Sequence, residues 1–131
     1  MNNWIDAAKL ELQHAQEARQ KGNEGMARVC ARRAAGLVAG QYLKREGFEG
    51  HDPSAYHRLQ ILKGLPGLTS TAHQAIEALL LRVNPDHNLP ADVDLIQKVS
   101  CLAYELLGVE LEWNQPPVTL DQILQYYVRS I

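Results

Sequence analysis

Apolar residues recur at intervals of three and four along most of the chain, a spacing that predicts helices. Trp4, Ala8, Leu12, Ala15 and Ala18 make one apolar face over residues 4–21, with Asn2 or Asn3 placed to cap it. The KGNEG stretch at 21–25, two glycines flanking a turn-forming Asn, ends that helix. A longer helix is predicted over residues 24–46, with Met26, Val29, Cys30, Ala34, Leu37, Val38 and Tyr42 inward. Gly36 and Gly40 stand one turn apart inside it. Each costs a helix about 1 kcal/mol relative to Ala, which makes sense where another backbone comes close or where a well-packed bundle tolerates it.

Asp52 or Ser54 can cap a short third helix with Tyr56, Leu59 and Leu62 inward, stopped by KGLPGL. Thr69 or Ser70 can cap a fourth, whose Ala72, Ala75, Ile76, Leu79 and Leu80 stay periodic up to Arg82. After VNPDHNLP a fifth helix is expected from Pro90 or Ala91 to Leu107, with Val93, Ile96, Val99, Ala103 and Leu106 inward and Gly108 after its end. VELEWNQPPV reads as extended coil, and a short terminal helix follows behind Thr119, with Leu120, Ile123, Leu124 and Tyr127 inward. No segment reads as a strand. The expected fold is all-α: one domain over residues 1–131, an up-and-down bundle of about five helices. A short C-terminal helix, in the 109–131 extension, packs on it.

Composition narrows the class. At 131 residues, with 46% hydrophobic and 21% charged side chains, the chain is long enough to bury a core. Only 6% is aromatic, so that core must rest on Leu, Ala, Val and Ile. No apolar run is long enough for a membrane span, and the first residues lack the basic and apolar regions of a secretory signal. Cys30 and Cys101 both sit in apolar helical patterns and read as small buried hydrophobes of a reducing compartment. A cytoplasmic protein is expected.

The net charge of −2 is uneven along the chain. Residues 28–63 hold Arg28, Arg32, Arg33, Lys44, Arg45, Arg58 and Lys63 against three acids, whereas the C-terminal half is acidic. That middle segment is either a polyanion-binding surface or an ordinary solvated helix face. Arg28 and Arg32, four apart, share one helix face and with Arg58 are the candidates for holding a phosphate or nucleotide.

Much enzyme chemistry is absent from the pattern. The chain has no glycine-rich phosphate loop, dinucleotide fingerprint or serine elbow. The five histidines (14, 51, 57, 73 and 87) are never four apart, nor in zinc spacing with the cysteines, so no metal or other cofactor is expected. What remains is Arg82 and His87 in RVNPDH. RNA is cut without metal when its own 2′-hydroxyl is activated against the adjacent phosphate. That needs a proton carrier with a pKa near neutral, which suits His, and a fixed cation on the phosphate, which suits Arg. The competing reading is a helix end, where Arg is favoured, followed by a turn that contains a His.

Taken together, WIDAAKLELQHAQEA, GMARVCARRAAGLVAGQYLKREG, YHRLQIL, RVNPDHNLP and DLIQKVSCLAYELL resemble, in order and spacing over about residues 4–108, the HEPN domain family (higher eukaryotes and prokaryotes nucleotide-binding). The resemblance implies a helical bundle that forms a homodimer, often beside a nucleotidyltransferase in a toxin–antitoxin pair. In catalytic members an Arg, four to six residues and a His from both subunits make a metal-independent endoribonuclease. Arg82 and His87 match that spacing. Other members look like non-catalytic nucleotide- or RNA-binding accessory modules. Here Val83 follows the Arg where catalytic members commonly have a polar residue, Pro85 interrupts the motif, and Gly36 and Gly40 stand where many members carry Glu and Lys. Those departures favour the accessory module. The alternatives are a ribonuclease toxin using Arg82 and His87, and a helical interaction protein with no nucleic-acid role.

Overall fold

Side-chain caps decide where these helices begin. The structure, a computed structural model, describes residues 3–48, 54–81 and 94–111. It contains α1 (Asn3–Gln20), α2 (Glu24–Arg45), α3 (Ala55–Lys63), α4 (Ser70–Leu80) and α5 (Leu95–Leu107), with no strand among the described residues. Asn23 caps α2 by accepting from the Met26 N–H at 3.1 Å, and Thr69 caps α4 through Ala72 N–H at 3.0 Å. Ser54 caps α3. Gly22 between α1 and α2, at φ +80°, takes the left-handed backbone that ends the first helix, and Gly108, at φ +65°, does the same after α5.

The fifth helix starts later than its periodicity predicts. Asp94 is extended, at φ −94° and ψ 100°, so no helix passes through it from Pro90 or Ala91. Its carboxylate accepts from Ile96 N–H at 3.1 Å and Gln97 N–H at 3.3 Å, and from Arg19 Nη1 at the end of α1 at 3.0 Å. A carboxylate that satisfies two orphan amides is a stronger start signal than a proline. Asp94→Ala should therefore cost about 1–2 kcal/mol, read as a lower denaturation midpoint with an unchanged slope. The Arg19 ion pair is half in water and adds little to that.

The all-α bundle is organised around α2, which packs against α1, α3 and α5; α4 closes the bundle against α3 and α5. Three neighbours demand burial around most of a helix. Accordingly Ala27, Cys30, Ala31, Ala34, Ala35, Gly36, Val38, Ala39 and Leu43 are all buried. The expectation of a face through Met26 and Val29 is corrected: they are 45% and 39% exposed. Small residues carry the buried arc because they let three helices approach one axis. Larger side chains from the neighbours, Leu12, Leu59, Leu62, Ile76, Leu79, Leu95, Val99 and Leu102, fill the space left.

The two interior glycines have their explanation at α3. A Cβ on Gly36 would lie 2.5 Å from the Ala55 Cβ and 2.8 Å from its Cα, so the first turn of α3 rests directly on the α2 backbone. A Cβ on Gly40 would meet only the Arg58 guanidinium, at 2.8 Å. Gly40→Ala should thus fall within about 1 kcal/mol of the wild type by thermal unfolding. The helix propensity it gains is offset by displacement of a flexible side-chain end.

Among the described residues no helix is long and apolar enough to cross a membrane. The sequence expectations for the Asn2 and Asp52 caps, for Val93 and for the helix behind Thr119 fall outside the described residues.

Candidate functional site

The basic segment is the first place to look for an anion site, and its arginines reach for carbonyls. Arg32 crosses from α2 to the end of α4, donating from Nε to Leu79 O at 3.0 Å and from Nη2 to Leu81 O. Arg45, further along α2, donates from Nη2 to Leu106 O in the last turn of α5 at 3.4 Å and lies 5.6 Å from the Tyr42 ring centre. Arg58 on α3 donates from Nη1 to Gly36 O at 3.1 Å, while its buried Nε meets no partner among the described residues. Helix C-termini leave carbonyls without intrahelical donors, and a planar guanidinium can serve two of them at once. Two of the three phosphate candidates, Arg32 and Arg58, are thereby tied into the bundle. Arg28 is half-buried and pairs with no described residue.

The clamp by Arg32 also changes how α4 ends. The helix stops at Leu80, and Leu81 is extended at φ −61° and ψ 139°. A helix carried through to Arg82 is therefore corrected: the periodicity outruns the helix, because the terminal carbonyls are satisfied from α2. Arg82 and His87 themselves lie outside the described residues.

Beside that exit is an open groove of about 880 Å³ between α3 and α4. Tyr56, Gln60 and Lys63, at i, i+4 and i+7, form one wall from α3, and Glu77, Leu80 and Leu81 form the other from α4. Tyr56, expected inward, is half-buried and lines this groove, whereas Leu59 and Leu62 fill the core behind it. Lys63 and Glu77 are exposed and share the groove, and neither forms an ion pair with a described residue. Sequence reading passed over this set. Its only trace was the polar strip at 56, 60 and 63, and nothing in the sequence says which strip of another helix lies opposite.

Both cysteines are free thiols, but only one matches the expectation of burial. Cys30 is 3% exposed, and Cys101 is half-buried on the outer face of α5. Burial pushes the Cys30 thiol up, and the charge of the nearby Glu11 carboxylate adds to the rise against a smaller opposing effect of Arg33. A raised thiol pKa means less thiolate at neutral pH and slower attack. A thiol reagent at pH 7 should modify Cys101 promptly in the native protein, and Cys30 only on unfolding; mass mapping of the labelled peptides reads the order.

No group of His, Cys, Asp and Glu among the described residues is placed to hold a metal ion. Among the described residues the site therefore consists of a polar groove with one cation and one anion, beside a helix exit held by the partly buried Arg32 fork. Comparison with family models, with curated proteins and with solved structures finds no match.

Proposed function

We propose that the chain is a HEPN-like, non-catalytic accessory module that binds a nucleotide or RNA, acts as a homodimer, and pairs with a nucleotidyltransferase in a toxin–antitoxin type system. One observation carries the binding part. The α3–α4 groove is lined by Lys63, with Tyr56 and Gln60 beside it on the same face of α3. A groove that presents a lysine beside hydrogen-bonding and aromatic side chains suits a phosphate-bearing ligand. The non-catalytic part is supported by Val83 and Pro85, which leave His87 on a stretch poorly suited to hold a general base in place.

The test combines binding and cleavage. Labelled single-stranded RNA is titrated with the protein at several salt concentrations by fluorescence anisotropy. The same RNA is then incubated with the protein in EDTA beside a His87→Ala variant. The expected result is binding that weakens steeply with salt, with no cleavage by either protein. Cleavage by the wild type that disappears in His87→Ala, leaving 2′,3′-cyclic phosphate ends, would replace this reading with the endoribonuclease one. No RNA or nucleotide binding even at low salt would leave a helical interaction module.

A further inference from the structure

We infer that the α3–α4 groove is a guanosine-phosphate site, in which Glu77 reads the base and Lys63 holds the phosphate. This rests on the nucleotide-binding reading above and names the ligand class for that groove.

The groove's volume, about 880 Å³, lies within the range of small-ligand clefts. Tyr56 to Lys63 spans seven residues of α3, a rise of about 10 Å, long enough for a base and its 5′-phosphate to lie along one wall. The chemistry along that length is ordered. Tyr56 lines one end of the α3 wall, and base-on-aromatic stacking is how unpaired bases are held. Lys63, at the other end of the α3 wall, is a compact charge for a phosphate oxygen.

Base choice follows from the opposite wall. An ionised Glu only accepts hydrogen bonds, through two oxygens side by side. Guanine is the nucleobase that presents two N–H donors side by side, at N1 and N2, on its Watson–Crick edge. Adenine and cytosine offer one amino group beside a ring acceptor that a carboxylate repels, and uracil flanks its single N–H with two carbonyls. Gln60, an amide with donors, is available to the guanine O6. Leu80 and Leu81 supply apolar surface for the ribose and base edge.

The test is a titration of the full chain, isotope-labelled, with GMP, AMP, CMP and UMP, followed by backbone amide shifts. In parallel come the pentanucleotides AAGAA and AAAAA. GMP should shift amides at 56–64 and 77–81 and bind at least tenfold more tightly than the other three. Glu77→Gln should bring that ratio close to one. Lys63→Ala should weaken all four nucleotides by a similar several-fold factor. Both side chains are exposed, so both variants keep the fold. AAGAA at least tenfold tighter than GMP assigns the site to RNA; comparable affinity assigns it to the free nucleotide. Nucleotide or RNA binding whose shifts map elsewhere, or a guanine preference that survives Glu77→Gln, overturns this site while leaving the binding reading standing. No shift with any probe overturns both.

Discussion

Gly36→Leu should lower stability by about 3 kcal/mol and the unfolding temperature by roughly 10 °C, measured by thermal and denaturant unfolding followed by circular dichroism. The reason is backbone, not side chain. The Cβ alone would sit 2.8 Å from the Ala55 Cα, and the only relief is to push the first turn of α3 away from α2. That turn cannot move freely. Ser54 caps it, Leu59 and Leu62 anchor it in the core, and Arg58 ties it to Gly36 O at 3.1 Å. Gly36→Ala separates two opposing effects. It gains about 1 kcal/mol of helix propensity and loses more to overpacking, so it should be destabilised by about 1 kcal/mol net. The expected order is wild type, Gly36→Ala, Gly36→Leu, with Gly40→Ala beside the wild type. A Gly36→Ala protein as stable as the wild type would show that α3 yields without cost. The same displacement moves one wall of the α3–α4 groove, so ligand binding should fall with stability in the Gly36 series.

The helices themselves were legible in the sequence, because periodicity and caps are local. α1 and α2 match their predicted spans within a residue or two, and Ser54, Thr69 and Gly108 stand at the ends they were expected to mark. Gly36 announced the close approach of another backbone, though not its partner, whereas Gly40 faces only the end of the Arg58 side chain. What failed was whatever depends on a distant neighbour. Met26 and Val29 were placed inward because apolar side chains favour burial, but the neighbours of α2 select its alanines instead. Nothing in the sequence separates Asp94 from the other acids of the C-terminal half; only its position beside two free amides makes it a cap. Above all, a count of arginines does not distinguish a cation aimed at phosphate from one aimed at a carbonyl. Arg32 and Arg58 were picked for charge and spacing, and the structure gives both backbone acceptors on another helix. The groove was illegible for the same reason, since its walls come from two helices whose polar strips have no sequence relation.

Arg32 is the residue where those two meanings of a cation can be separated by experiment. Removing its fork leaves Leu79 O and Leu81 O, both in a partly buried setting, without their donors. A hydrogen bond from a charged donor contributes about 1.5–3 kcal/mol, and two bonds from one group are not additive. Arg32→Ala should therefore cost about 2–3 kcal/mol, and hydrogen exchange should speed up most at the last turn of α4, including the Leu81 amide that donates to Ala78 O at 3.2 Å. Arg32→Lys is the discriminating variant. A phosphate site needs the positive charge, which Lys keeps. A carbonyl fork needs two donors in one plane, which Lys lacks. The structural role predicts that Arg32→Lys is nearly as unstable as Arg32→Ala, and that RNA binding by either is lost only as far as the α4 exit loosens. If Arg32→Lys instead kept full stability and Arg32→Ala lost only salt-dependent binding, Arg32 would belong to the ligand and not to the fold. The first outcome makes the arrangement directional: α2 fixes the end of α4, and the groove beside that end inherits its shape from Arg32, which does not line it.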